Sequence, residues 1–358
     1  RVYAINHQEY YRFADSLGRF ESYSPVDAGS FSISYIAWGT SFGRDYQDIV
    51  SPVFERMKDY RVVIAERLGG ENPNSMGMVY DSITGQEFPT GYGPNSQDVL
   101  IPSFVAAYTN QSPNDVTLDY FLKIPLPNWR ITYDGLSRIG FLQNIIQSAT
   151  ISHGYRANYA IGAYKTNLYY DDMGTGMPAE LYPESNSFYP VHDVTQITIT
   201  EQFSPLLGID FTWVNSLTTR LEFKKTRNLT FSMANKQLTD VNSDEYIVGI
   251  GYRIKDVSFT VKSIGGGGTR NLSSDLDIKL DFSIRNNRTV LRRLDTGQDQ
   301  ISAGQRVVSI NSTIDYMLSR SVSLSFFFDK IINTPFVSNQ YRTSTTRGGI
   351  RVRFSLAQ

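Results

Sequence analysis

The chain contains no cysteine and three histidines in 358 residues. Disulfides and thiolate metal sites are therefore excluded, and the absence fits an oxidising compartment in which stray thiols are a liability. His7, His153 and His192 lie far apart without metal-ligand spacing, and His153 reads as a structural or surface residue. Charge of one sign is also missing: 34 Lys and Arg face 35 Asp and Glu. No global electrostatic case for nucleic acid follows. Charged residues make up 19% of the chain, below the roughly 25% usual in soluble domains. No run of about 18 apolar residues occurs, which excludes a transmembrane helix but leaves spanning strands open.

Catalytic patterns are equally scarce. Ser204 sits in FSPLL, a turn rather than a nucleophile elbow. The glycines of GIGYR and of the Gly265–Gly268 run are followed by neither Lys-Ser/Thr nor a βαβ setting, so they form no phosphate loop. The carboxylates show no spacing that assigns acid and base roles. A transport or scaffold role therefore outranks an enzyme, and no cofactor site is read.

What the chain has in excess is aromatic residues, 23 Tyr and 21 Phe, and period-two alternation. Residues 1–118 read as a loop-rich segment with short helices, rich in turn signals such as GGENPNSMG and FPTGYGPNSQ. Within it, DIVSPVFERMKDYRVVIAERLGG reads as a helix: Asp48 or Ser51 caps it, Pro52 suits its first turn, and Gly69 and Gly70 can stop it. Val53, Met57, Tyr60 and Ile64 form its apolar stripe. VLIPSFVAAYTN reads as a second short helix.

Residues 119–358 read as strands, interrupted by an expected short amphipathic helix over GLSRIGFLQNIIQS. From VTQITITEQF onward, segment after segment alternates apolar with polar residues. In SDLDIKLDFSIR, Leu276, Ile278, Leu280, Phe282 and Ile284 share one face. Asp275, Asp277, Lys279, Asp281 and Arg285 share the other. A strand buried on both faces cannot carry that charged row without many paired charges, so one face meets water. The carboxylates recur about every 6.8 Å along one strand face, which suits a wet wall and lacks the turn glycine and final Glu of a calcium loop. The apolar face then packs on a second sheet in a soluble sandwich, or meets lipid in a membrane barrel. The length of the strands favours the barrel, either small and autonomous or the closing part of a larger one.

Two long stretches carry a resemblance to a known family. KIPLPNWRITYDGLSRIGFLQNIIQSATISHGYRANYAIGAY (Lys123 to Tyr164) is one; FSPLLGIDFTWVNSLTTRLEFKKTRNLTFSMANKQLTDVNSDEYIVGIGYRIKD (Phe203 to Asp256) is the other. With SPVFERMKDYRVVIAERLG, they resemble the C-terminal part of the SprA/Sov family, the outer-membrane translocons of the Bacteroidota type IX secretion system. The resemblance implies a transmembrane antiparallel β-barrel of about 36 strands, of which these residues would be the last portion. It implies passage of folded proteins bearing a C-terminal signal domain, a PorV-like outer-membrane barrel as lateral partner, a periplasmic plug protein, contact with outer-membrane lipid, and no catalytic residues or cofactors. On that reading Asp275, Asp277, Lys279, Asp281 and Arg285 face the lumen, and Leu276, Ile278, Leu280, Phe282 and Ile284 face lipid. Phe354 would be the aromatic anchor of the last strand, four residues from the final Gln358.

Overall fold

The computed structural model describes residues 2–15, 18–35, 42, 50–262, 269–295, 297, 299–319, 322–337 and 340–354. Asp48, the Gly265–Gly268 loop and the last four residues lie outside them. The fold is mostly β, dominated by one antiparallel sheet.

Two long strands open the chain, β1 (Val2–Ala14) and β2 (Arg19–Ser34). Then come helix α1 (Pro52–Glu71), a small hairpin of β3 (Met78–Asp81) and β4 (Gln86–Pro89), and helix α2 (Gln97–Tyr108). After the short β5 (Trp129–Tyr133) the long strands resume with β6 (Ile146–Thr166), β7 (His192–Trp213), β8 (Leu217–Ser232) and β9 (Gln237–Lys262). They finish with β10 (Thr269–Arg293), β11 (Asp299–Ser319), β12 (Val322–Pro335) and β13 (Thr343–Phe354). The sheet runs β1-β2-β6-β7-β8-β9-β10-β11-β12-β13, with β5 continuing the line of β2 along the same edge of β6. Among the described residues its two outer edges are not hydrogen-bonded to each other, so the sheet is not closed there.

Three local expectations change. Residues 2–14 and 19–34, read as loop-rich, are the first two strands of the sheet, so the sheet does not begin at residue 119. GLSRIGFLQNIIQS is not a helix: only Gly135–Arg138 makes a single 3₁₀ turn. Gly135 and Gly140 weaken helix propensity there, and Ile146 is taken into the ladder opposite Trp213. VTQITITEQF and PLLGIDFTWVN form one strand, β7, whose register against β8 jumps between Phe203 and Leu207.

The helix α1 begins as its sequence dictates. Ser51 Oγ accepts from the Phe54 amide at 3.0 Å, and Pro52 occupies the first turn, where a missing N–H costs nothing. Gly69 and Gly70 do not stop it; the helix runs through them to Glu71. Val53, Met57 and Ile64 are buried, while Tyr60 is only partly so. In α2 every residue from Val99 to Tyr108 is buried. A helix apolar on all sides belongs inside a core, and α2 is enclosed between α1 and the sheet. Phe104 stacks on Phe231 of β8 at 5.8 Å, and the same core takes in Phe31, Ile33, Tyr159, Ile161 and Ile197 from β2, β6 and β7. Burying each such side chain contributes about 1.5–3 kcal/mol. This helical layer covers only one end of one face of the sheet.

Candidate functional site: a two-faced sheet

Beyond the helical layer, the same face carries an apolar band over which the described residues place no second layer. Its rows follow from the strand registers. Leu221 of β8 stands opposite Ile209 of β7 and Val248 of β9. Val248 then pairs with Phe282 of β10, and Phe282 with Ile310 of β11. The next rows include Ile250 with Leu280, and Tyr252 with Ile278, Ile314, Phe326 and Ile350 in succession. Ile254, Leu276, Tyr316, Leu324 and Val352 form another. Many of these side chains stay open, Ile250 at 46%, Leu280 at 42% and Ile350 at 62%, whereas Tyr316 is buried.

The band has a definite size. From Tyr246 to Ile254 it runs about 27 Å along β9. Across β7 to β13 this face is roughly 29 Å wide, on the order of 800 Å² in all, largely apolar but interrupted by Ser312, Lys330 and Thr346 in β11 to β13. The largest apolar patch on a typical monomer is about 300–600 Å². A sandwich would cover such a band with a second sheet, and the only other sheet among the described residues is the β3–β4 hairpin.

Aromatic rings border the band where it meets the helical layer. Trp129 stacks on Tyr155 at 4.7 Å, Tyr155 meets Phe203 at 4.8 Å, and Phe223 stacks on Tyr246 at 4.6 Å. His153 joins this row, its Nδ1 donating to the Leu206 carbonyl at 2.7 Å. At the opposite border stand Trp213, Tyr252 and Tyr316, with Phe259 edge-on to Tyr316 at 4.9 Å, and Phe354 at the end of β13.

The other face is polar and threaded by ion pairs. Arg253 Nε lies 2.6 Å from Asp277 Oδ1. Lys224 reaches Glu222 at 3.5 Å and Glu245 at 3.7 Å, and Arg220 pairs with Glu222. Of the charged row in β10, Arg285 stands opposite Glu245, and Asp281 lies over Gly249, where an added Cβ would come within 2.6 Å of its Oδ1. Asp275 occupies an irregularity of the β9–β10 ladder and accepts from the Asp256 amide at 3.3 Å. Asp256 takes a φ of 57°, the left-handed conformation Asp tolerates better than most residues. Lys279 is exposed on the same face as Asp277 and Asp281. The three carboxylates stay spread along the strand, and no group of three metal-ligating side chains gathers among the described residues.

A buried charge network lies between band and helices, and its residues form no recognisable sequence motif. Arg227 of β8 donates to Asp240 of β9 through Nε at 3.2 Å and Nη2 at 2.8 Å. Asn242 donates to the same Asp240 Oδ1 at 2.8 Å. Arg292 of β10 lies 3.8 Å from Asp240 and 2.5 Å from Asp299. The Arg227 guanidinium also lies over the Tyr108 ring at the end of α2. The signal was present in TRLEFKKTRNLTF: Lys225 and Arg227 interrupt the row Leu221, Phe223, Leu229, Phe231.

Within the helical layer, burial pushes the Asp98 carboxyl up to about 6 and the Tyr92 phenol up to about 12. Asp98 lines an open cleft together with Asp193, Ser96, Ser185 and Ser187.

Compared with known proteins, the chain matches no family model and no curated relative.

Proposed function

We propose that the sheet is a stretch of wall in a transmembrane β-barrel of an outer membrane, its apolar band against lipid and its charged face lining an aqueous passage for polypeptide. The band carries this reading: it is largely apolar, uncovered by the described residues, roughly 20 Å high at a strand tilt near 40° against the about 25 Å apolar band of outer-membrane barrels, and bordered by aromatic rings on both sides. Lipid cannot satisfy open backbone groups, so the free edges at β1, β5 and β13 require further strands. A wall larger than this sheet supplies them, in keeping with the resemblance of Lys123 to Tyr164 and Phe203 to Asp256 to type IX translocons. On that reading the cargo is folded protein with a C-terminal signal domain, and a PorV-like barrel and a periplasmic plug are the partners. The chain guides cargo passively, and force comes from another component.

A soluble binding module is disfavoured because it would leave in water most of a largely apolar face of roughly 800 Å². The functional test is depletion of the protein in its native cell. Proteins with C-terminal signal domains should then accumulate in the periplasm; their undiminished arrival at the surface would overturn the translocon assignment.

A further inference from the structure

On the polar face, beside the aromatic border, β5, β6 and β7 enclose an open cleft of about 380 Å³. Arg130 and Arg156 line it with Asn128, Gly154, Gln202 and Ser204. Arg130 stands directly opposite Gly154, and Arg156 is two residues further along β6 on the same face. The two arginines are thus diagonal cross-strand neighbours, about 7–8 Å apart at their backbones. Gly154 keeps the floor low, since a Cβ there would come within 2.8 Å of the Ser204 carbonyl.

The cleft differs from the other large cleft of the charged face in its lining. There Asp277 stands among Arg253, Lys255 and Lys279, whereas no carboxylate lines the cleft of Arg130 and Arg156, and neither arginine forms an ion pair among the described residues. The row beside Arg156 continues with Gln202, Thr226, Ser243 and Asn287, all neutral. Two guanidiniums therefore meet at one concave site with hydrogen-bonding amides and no counter-charge.

We propose that this cleft binds an extended acidic segment of polypeptide, Arg130 and Arg156 each taking one of two carboxylates on alternate residues. An extended chain presents such side chains about 6.8 Å apart, matching the diagonal spacing of the two arginines. Guanidinium forks grip carboxylates bidentately; Gln202 is placed to pair with the peptide backbone, and Asn128, whose Oδ1 accepts from the Ala157 amide at 2.8 Å, offers its Nδ2. A single phosphate engages one fork and gains nothing from the spacing. The assignment rests on the polar face being the lining of the passage, since only there does passing polypeptide reach it.

The test is binding of a fluorescein-labelled Glu-Thr-Glu-Thr-Glu peptide to the full chain in detergent micelles. Binding should weaken about 10- to 100-fold in Arg130→Gln and in Arg156→Gln, and less in Arg156→Lys, which keeps charge but loses the fork. Both arginines are exposed, so the variants should melt as the parent does. A Gln-for-Glu peptide should not bind, and a peptide with adjacent glutamates should bind less well. Unchanged binding in both Gln variants overturns the proposal. Equal affinity for adjacent and alternate glutamates, with full competition by inorganic phosphate, overturns it in favour of a plain anion site. Micelles do not depend on which face lines a passage, so failure here is distinct from failure of the wall assignment.

Discussion

Arg227 and Asp240 form a two-point ion pair, with Nε at 3.2 Å and Nη2 at 2.8 Å from the two carboxylate oxygens, and their side chains are 2% and 0% exposed. They occupy β8 and β9 on the face that is apolar both above and below them. Together with Asn242 and Arg292, they mark where the open band ends and the helical core begins. Taking two charges out of water costs several kcal/mol per ion, so the pair's return lies in what it fixes: the position of Tyr108 and α2 over the sheet.

Breaking the pair from one side should therefore be costly. Asp240→Ala leaves Arg227 and Arg292 buried without their shared carboxylate and should destabilise the chain by about 3–5 kcal/mol. Arg227→Met combined with Asp240→Leu should cost much less than either single change. Urea denaturation in detergent measures both, and equal losses would show that the charges themselves do not hold the site.

The two faces of β10 should respond in opposite ways to charge. Leu280→Arg places a cation in the middle of the apolar band and should cost about 2–4 kcal/mol in a bilayer. Lys279→Leu, one residue away on the wet face, should be nearly neutral. Equilibrium folding into lipid vesicles reads the difference.

Helix α2 is anchored by ring packing. Phe104→Ala should cost about 3–5 kcal/mol and raise amide exchange in α2 before it raises exchange in β9 to β13. Uniform exchange across the chain would show that helices and sheet open as one unit.

Asp98 gives the helical layer a dependence on pH. Its folded pKa, about 6, lies above the ordinary carboxylate value, so between about pH 4 and 6 the folded state binds more protons than the unfolded. Stability should fall as pH rises through that window and level off above it. Asp98→Asn should remove this slope, a difference of roughly 1–3 kcal/mol at pH 7.

Much of this fold is legible in the sequence because its physics is local. Ser51 and Pro52 announce α1, and alternation from VTQITITEQF onward announces the strands. Where long-range pairing decides, local reading fails. In β2, RFESYSPVDAGSFSIS carries Pro25 and Gly29 as turn signals, yet pairing with β1 and β6 holds it extended. The apolar step of Leu136, Ile139, Leu142 and Ile146 imitates a helix, but β7 claims Ile146. The cleft at Arg130 and Arg156 has no sequence signature at all, because β5 and β6 bring its walls together from separate segments. The buried network left a trace in Lys225 and Arg227, two charges in a row that was otherwise apolar.

The central claim is that one face of the sheet meets lipid and the other water, and the absence of native cysteine makes it directly measurable. Single cysteines are placed at each position from Leu276 to Arg285 in the membrane-embedded protein and exposed to a charged, membrane-impermeant maleimide. The account predicts modification at 277, 279, 281 and 285 and protection at 276, 278, 280, 282 and 284. Labelling that is uniform along β10, or strongest at 278, 280 and 282, would contradict it.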